Sequence, residues 1–98
     1  MINPSGLKPS MPYITGEERR ELDPAIDMLV AKLRQAPVEK VDGRLNYVIS
    51  RLLAQLYPKG YFHYNRAMGV LASAMQEFYR RRVAPYEDVK ISENGDVY

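Results

Sequence analysis

The side chains able to do covalent or metal chemistry are few and poorly spaced for it. His63 is the single histidine and the chain has no cysteine, so a metal site would have to be built mostly from carboxylates, which gather only at Glu87-Asp88. Ser50, Ser73 and Thr15 lack the surroundings of an activated nucleophile, and only His63 could serve them as base. Glu17-Glu18 stand where a helical pattern begins, and the helix dipole accounts for negative charge there. No glycine-rich phosphate loop occurs. These residues predict a chain that is not an enzyme and that carries no metal or cofactor. What remains is cationic and aromatic. Arg66, Arg80, Arg81 and Arg82 are of the type that contacts phosphates, and the tyrosines are of the type that stacks on bases. The arginine run equally complements the C-terminal dipole of a helix, with Glu77 in reach at i+3 and i+4. Tyr57, Tyr61, Phe62 and Tyr64 cluster in sequence, either to pack a turn or to face a partner, since tyrosine suits a half-buried site.

These residues must be positioned by helices. The longest pattern runs over 61–84, where Tyr64, Ala67, Met68, Leu71, Ala74, Met75 and Phe78 fall within an arc of roughly 120°. Its opposite side carries Phe62, Arg66, Gly69 and Ser73, with the two small residues one turn apart in a shallow groove. A glycine inside a helix costs about 1 kcal/mol relative to alanine, so either something approaches closely there or the glycine is tolerated on a solvated face. A second helix is expected over 43–57, capped by Asp42, with Leu45, Val48, Ile49, Leu52, Leu53 and Leu56 as its stripe. Tyr57-Pro58-Lys59-Gly60 stops it and turns the chain into an antiparallel αα-hairpin with the third helix. The first helix, over 17–36, opens on the capping spacing of Thr15 and Glu18. Asp23-Pro24 either begins its main part or kinks it. The expected core is Leu29, Leu33, Ile49, Leu52, Leu56, Leu71 and Phe78. Pro85 is expected to end the long helix, and Asn94-Gly95 signals a hairpin or extended tail over 85–98.

Ninety-eight residues fit one all-α domain, a three-helix bundle over 13–84 preceded by a flexible extension over 1–12 and followed by the tail. No apolar run is long enough to span a membrane, and no signal-peptide core is evident at the N-terminus, so a soluble cytoplasmic protein is expected. The net charge of +2 is unevenly spread. Residues 40–84 hold eight basic side chains against Asp42 and Glu77, whereas 85–98 hold Glu87, Asp88, Glu93 and Asp96 against Lys90.

The segments MPYI, LNYVISRLL, YNRAMGVL, EFYRRRVAPYED and ENGDVY, in this order from Met11 to Tyr98, resemble a family of short uncharacterised bacterial and phage proteins. The resemblance favours Met11 as the start and implies no activity and no catalytic residue. The lengths imply more. A helix over 61–84 spans about 36 Å and one over 43–57 about 22 Å, so the hairpin leaves more than two turns of the third helix uncovered by the second, an overhang that the first helix can cover only in part. The expected function is a homo-oligomeric interaction or structural module, a dimer meeting at Phe62, Arg66, Gly69 and Ser73, with another protein as a further partner. The alternative is weak nucleic-acid binding through Arg66, Arg80, Arg81 and Arg82.

Overall fold

The computed structural model describes residues 13–98; the extension over 1–12, with the start expected at Met11, lies outside the described residues. The fold is all-α, as expected, with no strand among the described residues. Helix α1 is Gly16–Leu33, α2 is Val38–Leu56, α3 is Tyr61–Phe78, and α4 is Ala84–Asn94, joined to α3 by a π turn, Tyr79–Val83. The chain divides into two compact units, one through Val48 and the other Ile49–Tyr98.

In the first unit the Thr15 hydroxyl caps α1 by accepting from the Glu18 amide at 3.1 Å, and it donates to Glu18 Oε1 at 3.2 Å. One helix passes through Pro24 without a break. It stops at Leu33, three residues short of the expectation, in tightened turns from Gln35 N to Lys32 O and from Ala36 N to Leu33 O. The second helix then starts five residues earlier than expected. Pro37 supplies the carbonyl for the Lys40 amide at 2.9 Å, so Asp42 lies inside the helix and is not its cap. Arg44, half-buried, reaches back to donate from Nη2 to the Lys32 carbonyl at 2.8 Å, placing a cation on the C-terminal end of α1. Leu29 and Leu33 are half-buried.

In the second unit the turn forms where expected. Gly60 adopts φ +134°, a conformation that favours glycine, and its carbonyl receives the Tyr64 amide at 2.9 Å to open α3. In this unit the inward positions are Ile49 and Leu53 of α2 and Tyr57 just beyond its end, four residues apart, so Leu52 and Leu56 are exposed and are not core. Ala67 is the one buried residue among those described, at 8% exposure, and Leu71 is half-buried. The α2 segment in this unit, Ile49–Leu56, is about 12 Å long and covers only the first turns of α3. Phe78 continues the line of Ala67 and Leu71 beyond that cover and is 64% exposed, which corrects its assignment to the core.

The end of the chain departs most from expectation. Pro85 does not terminate the helix; it occupies the first turn of α4, where its missing N–H is tolerated. In an unbroken α-helix its ring would press on the carbonyl of Arg81, and the widened turn just before it, closed by Ala84 N to Tyr79 O, relieves that contact. Asn94-Gly95 forms no hairpin. Asn94 ends α4 and Gly95, at φ +89°, closes it by donating to Ile91 O at 2.8 Å, the alternative use of a glycine after a polar residue. Val89 and Ile91, inside the tail expected to be a hairpin or extended, are therefore helical, and the Asp96 carboxylate accepts from the Tyr98 amide at 2.9 Å.

Candidate interaction surface

The α2–α3 turn gathers aromatic rings around one cation because a helix places positions three and four apart on the same side. The Arg66 guanidinium lies 5.4 Å from the centre of the Tyr57 ring and 5.6 Å from that of Phe62. It also donates from Nη1 to His63 Nδ1 at 3.4 Å, in the tautomer that carries its proton on Nε2. Phe62 and His63 meet edge to face at 5.3 Å. Beside this cluster is an open hollow of about 500 Å³ lined by Leu53, Ala54, Tyr57, Lys59, Tyr64, Ala67 and Met68. Its walls are apolar apart from Lys59 and the two phenols, which suits an apolar side chain carried by a partner.

Of the four residues expected at an interface, Phe62 and Arg66 are thus brought together, both on the exposed side of α3. Gly69 and Ser73 lie further along that side and are also exposed. A Cβ built on Gly69 would meet nothing within 4 Å, so no close approach among the described residues accounts for the glycine.

The four arginines expected at phosphates do not form one patch. Arg66 is fourteen residues from Arg80, about 21 Å along the helix. Arg80 pairs with Glu77 at 3.8 Å, and Arg81 and Arg82 are exposed without an acidic partner among the described residues.

Two features were not read from the residue pattern, although the helix lengths anticipated part of the second. The first is the strut across the π turn. Eight residues of α-helix turn through about 800°, leaving positions i and i+8 some 80° apart, and the extra residue of a π turn removes about 100°. Tyr79 and Glu87 consequently share a side, and the Tyr79 hydroxyl donates to Glu87 Oε1 at 2.8 Å. That hydrogen bond, with the carboxylate charge, holds the Tyr79 phenol above the ordinary tyrosine value. The second is the exposure of the apolar stripe itself. Met68, Met75 and Phe78, assigned by their spacing to the face that packs inward, are 65%, 68% and 64% exposed. A periodic pattern identifies a face that needs cover, and the described residues of this unit do not supply it.

Among the described residues, no three histidine, aspartate or glutamate side chains gather around a point that could hold a cation. No helix among them is long and apolar enough to cross a membrane.

The family described as "Domain of unknown function (DUF6899)" matches residues 11–97, and the chain belongs to it. The match begins at Met11, as does the resemblance noted from the sequence segments. No curated protein and no solved structure matches the chain.

Proposed function

We propose that this protein is a small homo-oligomeric interaction module, a homodimer in its simplest form, and not an enzyme. The observation that carries the reading is the two-thirds exposure of Met68, Met75 and Phe78 on one stripe of α3. Large apolar side chains grouped on one helix face favour association because burying each is worth about 1.5–3 kcal/mol. The setting that goes with this reading is the cytoplasm of bacteria or of phage-infected cells, and a chain without cysteine is compatible with a reducing compartment.

Two surfaces of α3 are available, the stripe and the side bearing Phe62, Arg66, Gly69 and Ser73. Sedimentation velocity on the native chain and on Gly69→Leu tests the reading and separates the two. Because Gly69 faces open space, leucine there leaves the monomer's fold intact. Loss of association in Gly69→Leu places the contact on the glycine side, and retained association places it on the stripe. A native chain that stays monomeric at high concentration refutes the proposal.

Nucleic-acid binding is the second reading, favoured by the exposure of Arg81 and Arg82, which have no acidic partner among the described residues. It requires binding of single- or double-stranded oligonucleotides at ~50 mM salt, where counterion release is most permissive. No binding there at tens of micromolar protein removes it.

A further inference from the structure

Resting on that reading, we infer that two copies associate antiparallel along α3, the π turn and α4, so that the C-terminal tail of each copy occupies the apolar hollow at the α2–α3 turn of the other. Three observations in the second unit carry this, and each constrains a different property of the pair.

The first is an unfilled hollow together with an unplaced tail. The hollow beside Lys59 is walled by apolar groups and is open. Val97 and Tyr98 are fully exposed at the end of the same chain. Helix runs without interruption from Tyr61 to Asn94, roughly 50 Å, so a chain cannot bring its own tail back along that helix to its own hollow in four residues. A second copy lying antiparallel can.

The second observation is charge. From Gly43 to Gln76 there is no acidic residue, while Arg51, Lys59 and Arg66 supply positive charge in the part belonging to this unit. From Ala84 onward Glu87, Asp88, Glu93 and Asp96 stand against Lys90 alone. An antiparallel pair sets the basic end of each copy beside the acidic end of the other; a parallel pair sets like beside like.

The third observation is length and area. Full overlap of two helices spanning Tyr61–Asn94 puts the twofold axis beside Phe78, an exposed phenyl ring on the stripe, and brings Lys59 of one copy next to Asp96 of the other. Tyr64, Met68, Met75, Phe78, Tyr86 and Val97 are all exposed. At about 130 Å² apiece these six supply roughly 800 Å² per copy, the area that a standard interface buries on each partner.

The absence of native cysteine permits a direct test on the full chain. Lys59→Cys and Asp96→Cys are prepared separately, mixed, allowed to exchange and oxidised, and the products are resolved without reductant. Both positions are exposed and lie outside the helices, so neither substitution breaks a helix, although Asp96→Cys removes the acceptor of the Tyr98 amide, and unchanged helical circular dichroism checks this. In the antiparallel pair two copies of position 59, or two copies of position 96, are roughly 55 Å apart. The expected product is therefore the mixed 59–96 disulfide as the major species, lost when the variants are oxidised singly. Dimers in sedimentation that give 59–59 or 96–96 products, or no disulfide, overturn the antiparallel register and leave the homo-oligomeric reading standing. A native chain that sediments as a monomer overturns both.

Discussion

Phe78→Ala is the perturbation that bears most directly on the exposed stripe. Phe78 is 64% exposed in the chain, so it contributes little to the fold of its own copy. A phenyl side chain removes about 170 Å² from water when fully buried, which leaves about 110 Å² for a partner to cover. Alanine retains about a third of that, and the net loss of about 75 Å² at about 25 cal/mol per Å² is about 2 kcal/mol per copy. A twofold interface loses it twice, so dissociation is weakened by about 4 kcal/mol, about a thousandfold in Kd. Sedimentation equilibrium of native and Phe78→Ala chains reads this directly, with circular dichroism to establish that helix content is unchanged. Met28→Ala is the control, because Met28 is 74% exposed on α1 and is not on the stripe. It is expected to leave Kd where it was. An unchanged Kd in Phe78→Ala, or an equal loss in Met28→Ala, would refute the assignment of the stripe as a specific contact.

Tyr79 gives a pH-dependent prediction. Its phenol is raised above the ordinary value by the hydrogen bond to Glu87, so the folded chain binds this proton more tightly than the unfolded one. The stabilisation is present below the ordinary tyrosine pKa near 10 and is lost as pH rises through the raised value. Phenolate absorbance is expected to include a late-titrating component that Tyr79→Phe removes; an identical upper limb in the variant would sink the strut. Pro85→Ala restores an amide to the helix and is expected to let the π turn relax to α, raising the melting temperature and breaking the Tyr79–Glu87 bond, as read by amide hydrogen exchange around Arg81. A lower melting temperature would mean that the proline is not the cause of the widened turn. Gly60→Ala forces a Cβ onto φ +134° and is expected to destabilise the α2–α3 turn by more than about 1 kcal/mol in denaturant unfolding. An unchanged midpoint would contradict the turn geometry.

What the sequence made legible was local. The Thr15 cap and the turn at Tyr57–Gly60 depend on a few adjacent residues, and both form as their types require. Asn94-Gly95 was ambiguous for the same local reason, since a glycine at positive φ closes a helix as readily as it turns a hairpin, and only the continuing helix over 84–94 decides which. Pro85 misled because a proline is compatible both with the end of a helix and with the first turn of a new one, and a π turn has no signature in residue types. Burial was the least legible property. Periodicity placed Leu71 and Phe78 on one face alike, yet the length of the covering α2 segment leaves one half-buried and the other exposed. Of the candidate site, the proximity of Phe62 and Arg66 followed from their four-residue spacing. The separation of Arg66 from Arg80–Arg82 followed from helix rise and weighs against a single basic patch.

The molar mass of the native chain in solution tests the central claim most directly. Light scattering on the full chain at concentrations up to its solubility limit is predicted to give twice the 11.3 kDa of one copy, falling toward that value on dilution. A mass of one copy at every concentration would contradict it.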